Sequence, residues 1–339
     1  MNVLGIESSC DETAAAVVTD GRVVRSSIIW SQIDQHAPFG GVVPEIASRS
    51  HLNAIVPVVN DALGQAGMTL DDIDGLAVTI GPGLIGALLV GVQFAKGLAL
   101  GLGVPIVGVN HIEAHFMAAF LTDSLPKFPF VALAVSGGHS SIFRVDDFGR
   151  FTLFGRTLDD AAGEAFDKAA AMLGLPYPGG VAIDKVAKNA NPASVAFPRS
   201  MIKEPGYNMS FSGLKSAMRR HVEGRVLSDQ EINDAAAAFR EAVVDVLVAK
   251  TMSAAVDCNV SDIVIAGGVA ANSRLREVLG QRTAQKGLIL HALPLELCSD
   301  NAAMIAGLGH QYLFGACSDF DCPRGLDMDP FTRLVATGG

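Results

Sequence analysis

The sequence predicts an α/β protein built as two lobes of similar plan, and three observations carry that expectation. Two stretches, one from Val3 and one from Phe130, each open on short β-type runs and then alternate strands with helical segments. Half of the 339 residues are hydrophobic and 18% are charged, which is ample material for two cores. The 36 glycines fall in turns between apolar runs, with no collagen-like period. Two such lobes with a cleft between them suggest a nucleotide-binding architecture. A single large α/β domain is the alternative.

In the first half, Val3–Glu7, Thr13–Thr19 and Arg22–Ile29 form a β-meander around the polar turn at residues 8–12. Pro44 to Ala66 has a helical pattern, with Pro57 as a kink or break. Leu76–Ile80 is a strand, followed by a glycine loop and a helix to about Leu100. Val104–Val109 is a buried strand and His111–Leu121 a helix. The pattern restarts around Pro126–Pro129. Phe130–Val135, Ser141–Val145 and Arg150–Gly155 are strands, and Leu158–Leu173 and Ile232–Val256 are helical. Ile263–Ala266 and Leu288–His291 are strands, Ala271–Gln285 a helix, and Asn301–Phe314 a helix capped by Ser299 or Asp300. The lobes are placed at 1–128 and 129–339. Residues 176–229, rich in Pro, Asn, Ser and basic side chains, form an insertion on the second lobe, and the carboxy-terminal tail is expected to return to the first.

The net charge is −10, so the overall field does not favour nucleic acid, and any such contact needs a local basic patch or a partner. Five cysteines, Cys10, Cys258, Cys298, Cys317 and Cys322, form no CxxC pair, which suits a reducing compartment rather than a disulfide scaffold. The start, MNVLGIESS, has no basic stretch before a long apolar run, so no secretory signal is expected. Gly75 to Ala95 carries no charge, but Gly81-Pro82-Gly83 breaks it and Leu84–Ala95 is too short to cross a bilayer. A buried strand, loop and helix are expected there.

His111 and His115 stand four apart, and on a helix they share a face and can point at one ion. Two surface histidines at a helix start are the plain alternative. Glu113 lies between them on a different face, which fits neither metalloprotease spacing of this type. Asp300 serves as a helix cap or as a third, carboxylate ligand. The turn Gly137-Gly138-His139, after Ala134-Val135-Ser136, can hold a phosphate or carboxylate on backbone N–H groups, the plain alternative being a structural turn. Gly267–Asn272 is the equivalent place in the second series of strands. Asp11 and Glu12, in the first turn, are either solvated or order a metal or phosphate-bound water. Asp167 and Asp184 read alone as salt-bridge residues. Lys215, Arg219, Arg220, His221 and Arg225 form a basic run, either an exposed helix face or a phosphate-backbone patch for RNA.

Many of these residues fall in ten blocks that, in this order, resemble one family. They are Gly5–Thr13, Gly41–Arg49, Gly81–Leu84, Asn110–His115, Val135–His139, Phe166–Lys168, Tyr177–Gly180, Ser210–Lys215, Gly267–Asn272 and Cys298–Asn301. The chain resembles the bacterial form of the TsaD family, the catalytic subunit of tRNA threonylcarbamoyladenosine synthase, formerly described as an O-sialoglycoprotein endopeptidase. The resemblance implies an ASKHA fold, the two-lobed actin-like and sugar-kinase-like architecture with a central cleft. It implies one metal, iron or zinc, on His111, His115 and Asp300. An adenylate or ATP-type nucleotide, with or without Mg2+, is implied at Ala134, Val135, Ser136, Gly137, Gly138, Asp167, Gly180, Asp184 and Asn272. The implied reaction moves threonylcarbamoyl from threonylcarbamoyl-AMP to the N6 amine of adenosine 37 in tRNAs reading codons that start with A. Implied partners are tRNA, a TsaB-type paralogue and a TsaE-type ATPase, with a TsaC-type enzyme supplying the adenylate, in the cytoplasm and away from membranes. His139, Asp11 and Glu12 are the catalytic candidates, and Lys215, Arg219 and Arg220 the candidate RNA contacts. A metal-dependent glycoprotein endopeptidase and a non-catalytic nucleotide-binding scaffold are the competing functions.

Overall fold

The computed structural model describes residues 1–315 and 322–333. The chain divides into two compact units, Met1–Leu125 with Asp147–Arg150 and the described residues from Ser299 onward, and Pro126–Asp146 with Phe151–Cys298. Cys317 lies outside the described residues. Cys10, Cys258, Cys298 and Cys322 are free thiols.

The first unit opens with β1 (Asn2–Glu7), β2 (Glu12–Thr19) and β3 (Val23–Ser31), an antiparallel meander. A short α1 (Ile33–His36) leads to α2 (Pro44–Ala66), which runs on through Pro57 rather than breaking there. Pro57 stands on the exposed face of that helix, where its missing N–H leaves no core group unpaired. Next come β4 (Gly75–Gly81), α3 (Ile85–Leu102), β5 (Ile106–Asn110) and α4 (His111–Met117). The sheet order is β3-β2-β1-β4-β5, with β1, β4 and β5 parallel. Helix α3 ends within two residues of the expected Leu100, beyond the charge-free stretch that stops at Ala95. It continues through Lys96, so its 18 residues, of mean hydropathy 1.7, are long and apolar enough to cross a membrane. Its Ala87, Leu88, Val92 and Ala95 are buried, and the helix packs on β4 and α2.

The second unit holds β6 (Phe130–Val135), β7 (Ser140–Asp147) and β8 (Arg150–Arg156), the last two joined by residues counted with the first unit. Four helices follow: α5 (Ala162–Met172), α6 (Gly179–Val186), α7 (Ser212–Val222) and α8 (Asp229–Asp257). Helix α5 starts at Ala162, not Leu158. Asp159 instead anchors the loop before α7, accepting bonds from the backbone N–H of Phe211 and Ser212 and from the hydroxyls of Ser210 and Ser212. The expected insertion thus contributes two ordered helices, α6 and α7. Then come β9 (Asp262–Ala266), α9 (Ser273–Lys286) and β10 (Ile289–Ala292). The sheet order, β10-β9-β6-β7-β8, repeats the first sheet strand for strand, with β6, β9 and β10 parallel.

The last helix, α10 (Ala302–Leu313), belongs to the first unit and packs on β1, β2 and β4. Its cap is Asn301, whose Oδ1 accepts the Met304 N–H at 3.0 Å, and not Ser299 or Asp300. Contact with the sheet is close because β1 carries Gly5. A Cβ there would stand 2.3 Å from the Ala302 carbonyl oxygen and 2.9 Å from the Ala306 Cβ. Gly5→Ala therefore forces α10 off the sheet at an overpacking cost of ~1–3 kcal/mol. Thermal denaturation of that variant is expected to show a melting temperature lower by about 3–10 °C, and an unchanged value would contradict this packing.

Candidate functional site

In open α/β sheets the ends of parallel strands present groups for chemistry. Strand β5 ends at Asn110, whose Oδ1 accepts the N–H groups of Ile112 (2.9 Å) and Glu113 (3.2 Å). That cap starts α4 at His111, which puts His111 and His115 on one face. Their Nε2 atoms are 3.2 Å apart. Asp300, released from capping by Asn301, brings Oδ1 to 3.1 Å from His115 Nε2 and 3.6 Å from His111 Nε2. Three donors from residues 185 positions apart thus converge on one point.

Behind them sits Glu7, fully buried at the end of β1. Its Oε2 accepts the Thr79 hydroxyl at 2.6 Å and lies 2.9 Å from His111 Nδ1, while its Oε1 accepts the Ser9 N–H at 2.5 Å. Burial works against a charge on His111, but the Glu7 and Asp300 carboxylates outweigh it and push its pKa up to about 9. Burial likewise opposes ionisation of Glu7, and the charge and hydrogen bond of His111 overcome it, holding that carboxyl below its usual value. A carboxylate on Nδ1 orients the ring so that Nε2 faces the common point, the arrangement found behind metal-bound histidines. Two imidazoles and one carboxylate with open positions are a donor set for a divalent transition metal, and these three residues can hold one.

The turn before β2 adds two acids to this end of the unit. Burial and the charges of Asp300 and Asp11 push the Glu12 carboxyl up to about 10. Burial, with Asp11 and Asp300, also drives the Cys10 thiol well above its ordinary value, so Cys10 is no thiolate nucleophile. The turn is tied down by Leu84 N–H on Ser9 O (2.8 Å) and Gln32 N–H on Asp11 O (3.0 Å). Glu113 points away from the three donors. Its Oε1 accepts the Tyr312 hydroxyl and the Gly149 N–H, each at 2.7 Å, so it is not placed as a protease base.

The remaining expected positions lie in the second unit. Strands β6 and β9 run parallel from Val131 beside Ile263 to Ala134 beside Ala266, so the loops after Val135 and Ala266 emerge side by side. Gly267 has φ +89°, and a Cβ on it would stand 2.5 Å from the Val135 carbonyl oxygen. Ser136 closes the first turn, its N–H donating to His139 O at 2.8 Å and its hydroxyl accepting the His139 N–H at 3.2 Å. Gly137 and Gly138 are exposed, with open space around them. Asp167 Oδ1 accepts the Gly179 N–H at 2.7 Å, which holds the start of α6, including Gly180, against α5. Burial raises the Asp167 pKa against the pull of the Gly179 and Gly180 N–H groups. Asp184 binds Arg240 Nη1 (2.8 Å) and the Ser273 hydroxyl (2.9 Å), joining α6 to α8 and α9. Asn272 caps α9 through Oδ1, at 3.1 Å from Arg274 N and 3.0 Å from Leu275 N. Lys215 and Arg219 line, with Lys168, Ala171 and Met172, a groove of about 450 Å3 between α5 and α7, and Arg220 is exposed beside them. Arg225 is drawn instead to Glu231 at 2.9 Å.

A family profile described as TsaD, tRNA N6-adenosine threonylcarbamoyltransferase, matches residues 23–307. The chain belongs to the TsaD family. A tRNA N6-adenosine threonylcarbamoyltransferase of Geobacter sp. (strain M21) is 56% identical over 338 residues, 99% of this chain and 98% of the relative. One from Syntrophotalea carbinolica is 52% identical over 95% of this chain and 94% of its own length. Among solved structures, component A of the Acidaminococcus fermentans (R)-2-hydroxyglutaryl-CoA dehydratase aligns with a TM-score of 0.57 at 15% identity, over 92% of this chain and 98% of its own. Full-length HypF aligns with a TM-score of 0.60 at 14% identity, over 93% of this chain and 47% of its own. Both likenesses are of fold, and the fold is of the ASKHA type.

Glu7, Ser9, Thr79, Arg240 and Ser273 had no assigned part in the sequence reading. Only Glu7 carried a signal, an acid ending an otherwise apolar strand. Glu7→Gln should weaken zinc binding about 10–100-fold in chelator competition. Unchanged affinity would remove Glu7 from the support of His111.

Proposed function

We propose that this TsaD-family chain transfers the threonylcarbamoyl group from threonylcarbamoyl-AMP to the N6 amine of adenosine 37 in tRNAs that read codons starting with A, releasing AMP. The supporting observation is the convergence of His111, His115 and Asp300 in a chain 56% identical to a threonylcarbamoyltransferase over 99% of its length. The donor set suits iron or zinc, which would supply a Lewis acid and a template for oxyanions.

The chain's own residues divide the remaining work. The N–H groups of Gly137 and Gly138 take a phosphate or carboxylate, as turns of this kind do. Residues Ala134 to Ser136 form the strand end on which that turn rests. Asp167 of α5 with Gly180 at the start of α6, and Asp184 of α6 with Asn272, the cap of α9, frame the nucleotide. Asp11 and Glu12 order a cation such as Mg2+, whose charge would draw the proton from Glu12. The step breaks the bond between the carbamoyl carbon and the phosphate oxygen and forms one to N6. His139 takes the amine proton, with the leaving phosphate as the other acceptor. Holding donor and acceptor in register supplies much of the rate. A TsaB-type paralogue and a TsaE-type ATPase act with the chain in the cytoplasm, and a TsaC-type enzyme supplies the adenylate.

Two experiments test this. Purified protein, threonylcarbamoyl-AMP, unmodified tRNA and the two partners should yield threonylcarbamoyladenosine by nucleoside mass analysis. His111→Ala/His115→Ala should lower the yield at least a hundredfold. Normal transfer by that variant would refute the metal's role, and no product from the wild type would refute the transfer. For the RNA surface, Arg219→Glu/Arg220→Glu should weaken tRNA binding and reduce the slope of log K against log salt by about 1–2. An unaltered slope would place the tRNA elsewhere.

A further inference from the structure

We propose that Glu113 is a positioning residue that fixes the rotation of α4, and with it the approach of His111 and His115 to Asp300. The inference rests on reading those three residues as metal ligands. Residue 113 lies two positions from each histidine, about 200° around the helix, so its side chain leaves the opposite face of α4. It is 3% exposed, and the partners of its Oε1 are neutral, the Tyr312 hydroxyl and the Gly149 N–H, each at 2.7 Å. A carboxylate buried without a cation is costly, and an apolar side chain of similar volume would fill the same space. What the carboxylate adds is direction.

Helix α4 is gripped on two faces by a single element. On one face His115 meets Asp300, just ahead of the first residue of α10. On the other Glu113 meets Tyr312, near the end of α10. Between these points the chain runs as helix from Ala302 to Tyr312, ~15 Å of rigid rod. The Gly149 N–H supplies a third fixed point from a turn whose Phe148 packs on Phe120, just after α4, with ring centroids 4.8 Å apart. Apolar packing alone leaves a seven-residue helix free to roll by a few degrees. Two hydrogen bonds to one oxygen resist that, and a small roll would separate the Nε2 atoms from Asp300 Oδ1.

The test separates position from stability. Glu113→Leu/Tyr312→Phe removes the acid and its hydroxyl partner while keeping the volume. Its melting temperature should stay within about 3 °C of the wild type, and its zinc affinity by chelator competition should fall about tenfold or more. Glu113→Gln, which keeps an acceptor oxygen at the same place, should hold the affinity within about threefold. A folded double variant with wild-type zinc affinity would overturn the proposal, as would equal losses in the Gln and Leu variants. If circular dichroism shows the double variant unfolded, Tyr312→Phe alone carries the same expectation and the same refutation. His111→Ala serves as control. If it binds zinc normally, the metal reading itself fails, a separate outcome from failure of the positioning role.

Discussion

The metal-type end of the first unit depends on one buried carboxylate. Glu7 closes β1, reaches Thr79 on β4, holds the Ser9 turn by its N–H and meets His111 at the start of α4. The carboxylate is tolerable there because His111 balances its charge in a site where an unpaired ion would cost several kcal/mol. That mutual dependence orders the construction. The β1–β4 pairing places Glu7, Glu7 orients His111, and only then do two histidines and Asp300 face one point.

The two units share one strand order and use it for different chemistry. In each, a central strand lies between an antiparallel meander and two parallel strands, so each sheet offers neighbouring loops at parallel strand ends. In the first unit the strand end passes directly into a helix that begins with His111, and imidazoles fill the space. In the second, β6 and β9 end in glycine turns, with Gly267 so close to Val135 that no side chain fits between them. Backbone N–H groups rather than side chains are what such a turn can offer. The repeated strand order thus carries two imidazoles and a carboxylate facing one point in one half and exposed backbone N–H groups of glycine turns in the other.

On a chain of net charge −10, the basic groove between α5 and α7 keeps only part of its positive charge free. Lys168 is compensated by Asp160 at 2.9 Å and Glu164 at 2.6 Å, and Lys215 lies 3.9 Å from the same Asp160. Much of the groove's positive charge is therefore spent within the protein. Arg219 and Arg220 are exposed at the carboxy-terminal end of α7, where cations also complement the helix dipole. Two arginines would account for a small part of the affinity of any polyanion bound there.

What could be read from the sequence follows from the range over which each feature is determined. Strand and helix order was legible because periodicity is local, and α2 and β6 lie where their patterns put them. Caps were less so. Ser299, Asp300 and Asn301 are all good capping types, and the choice of Asn301 is settled by packing of α10 that no local pattern contains. The helix start at Leu158 failed for a similar reason, since Asp159 serves a segment 51–53 residues away. At the site, the helical spacing of His111 and His115 was visible, while Asp300 could be joined to them only through resemblance to a family. The supporting roles of Glu7 and Glu113 were not legible, although Glu7 stood out as an acid ending an apolar strand and Glu113 as an acid on the far face of the helix. Each is a single acid in an apolar setting, and its meaning lies in partners 104 and 199 residues away. A residue that acts by orienting another is defined by contacts made after folding, and so it is the last kind of functional residue a sequence discloses.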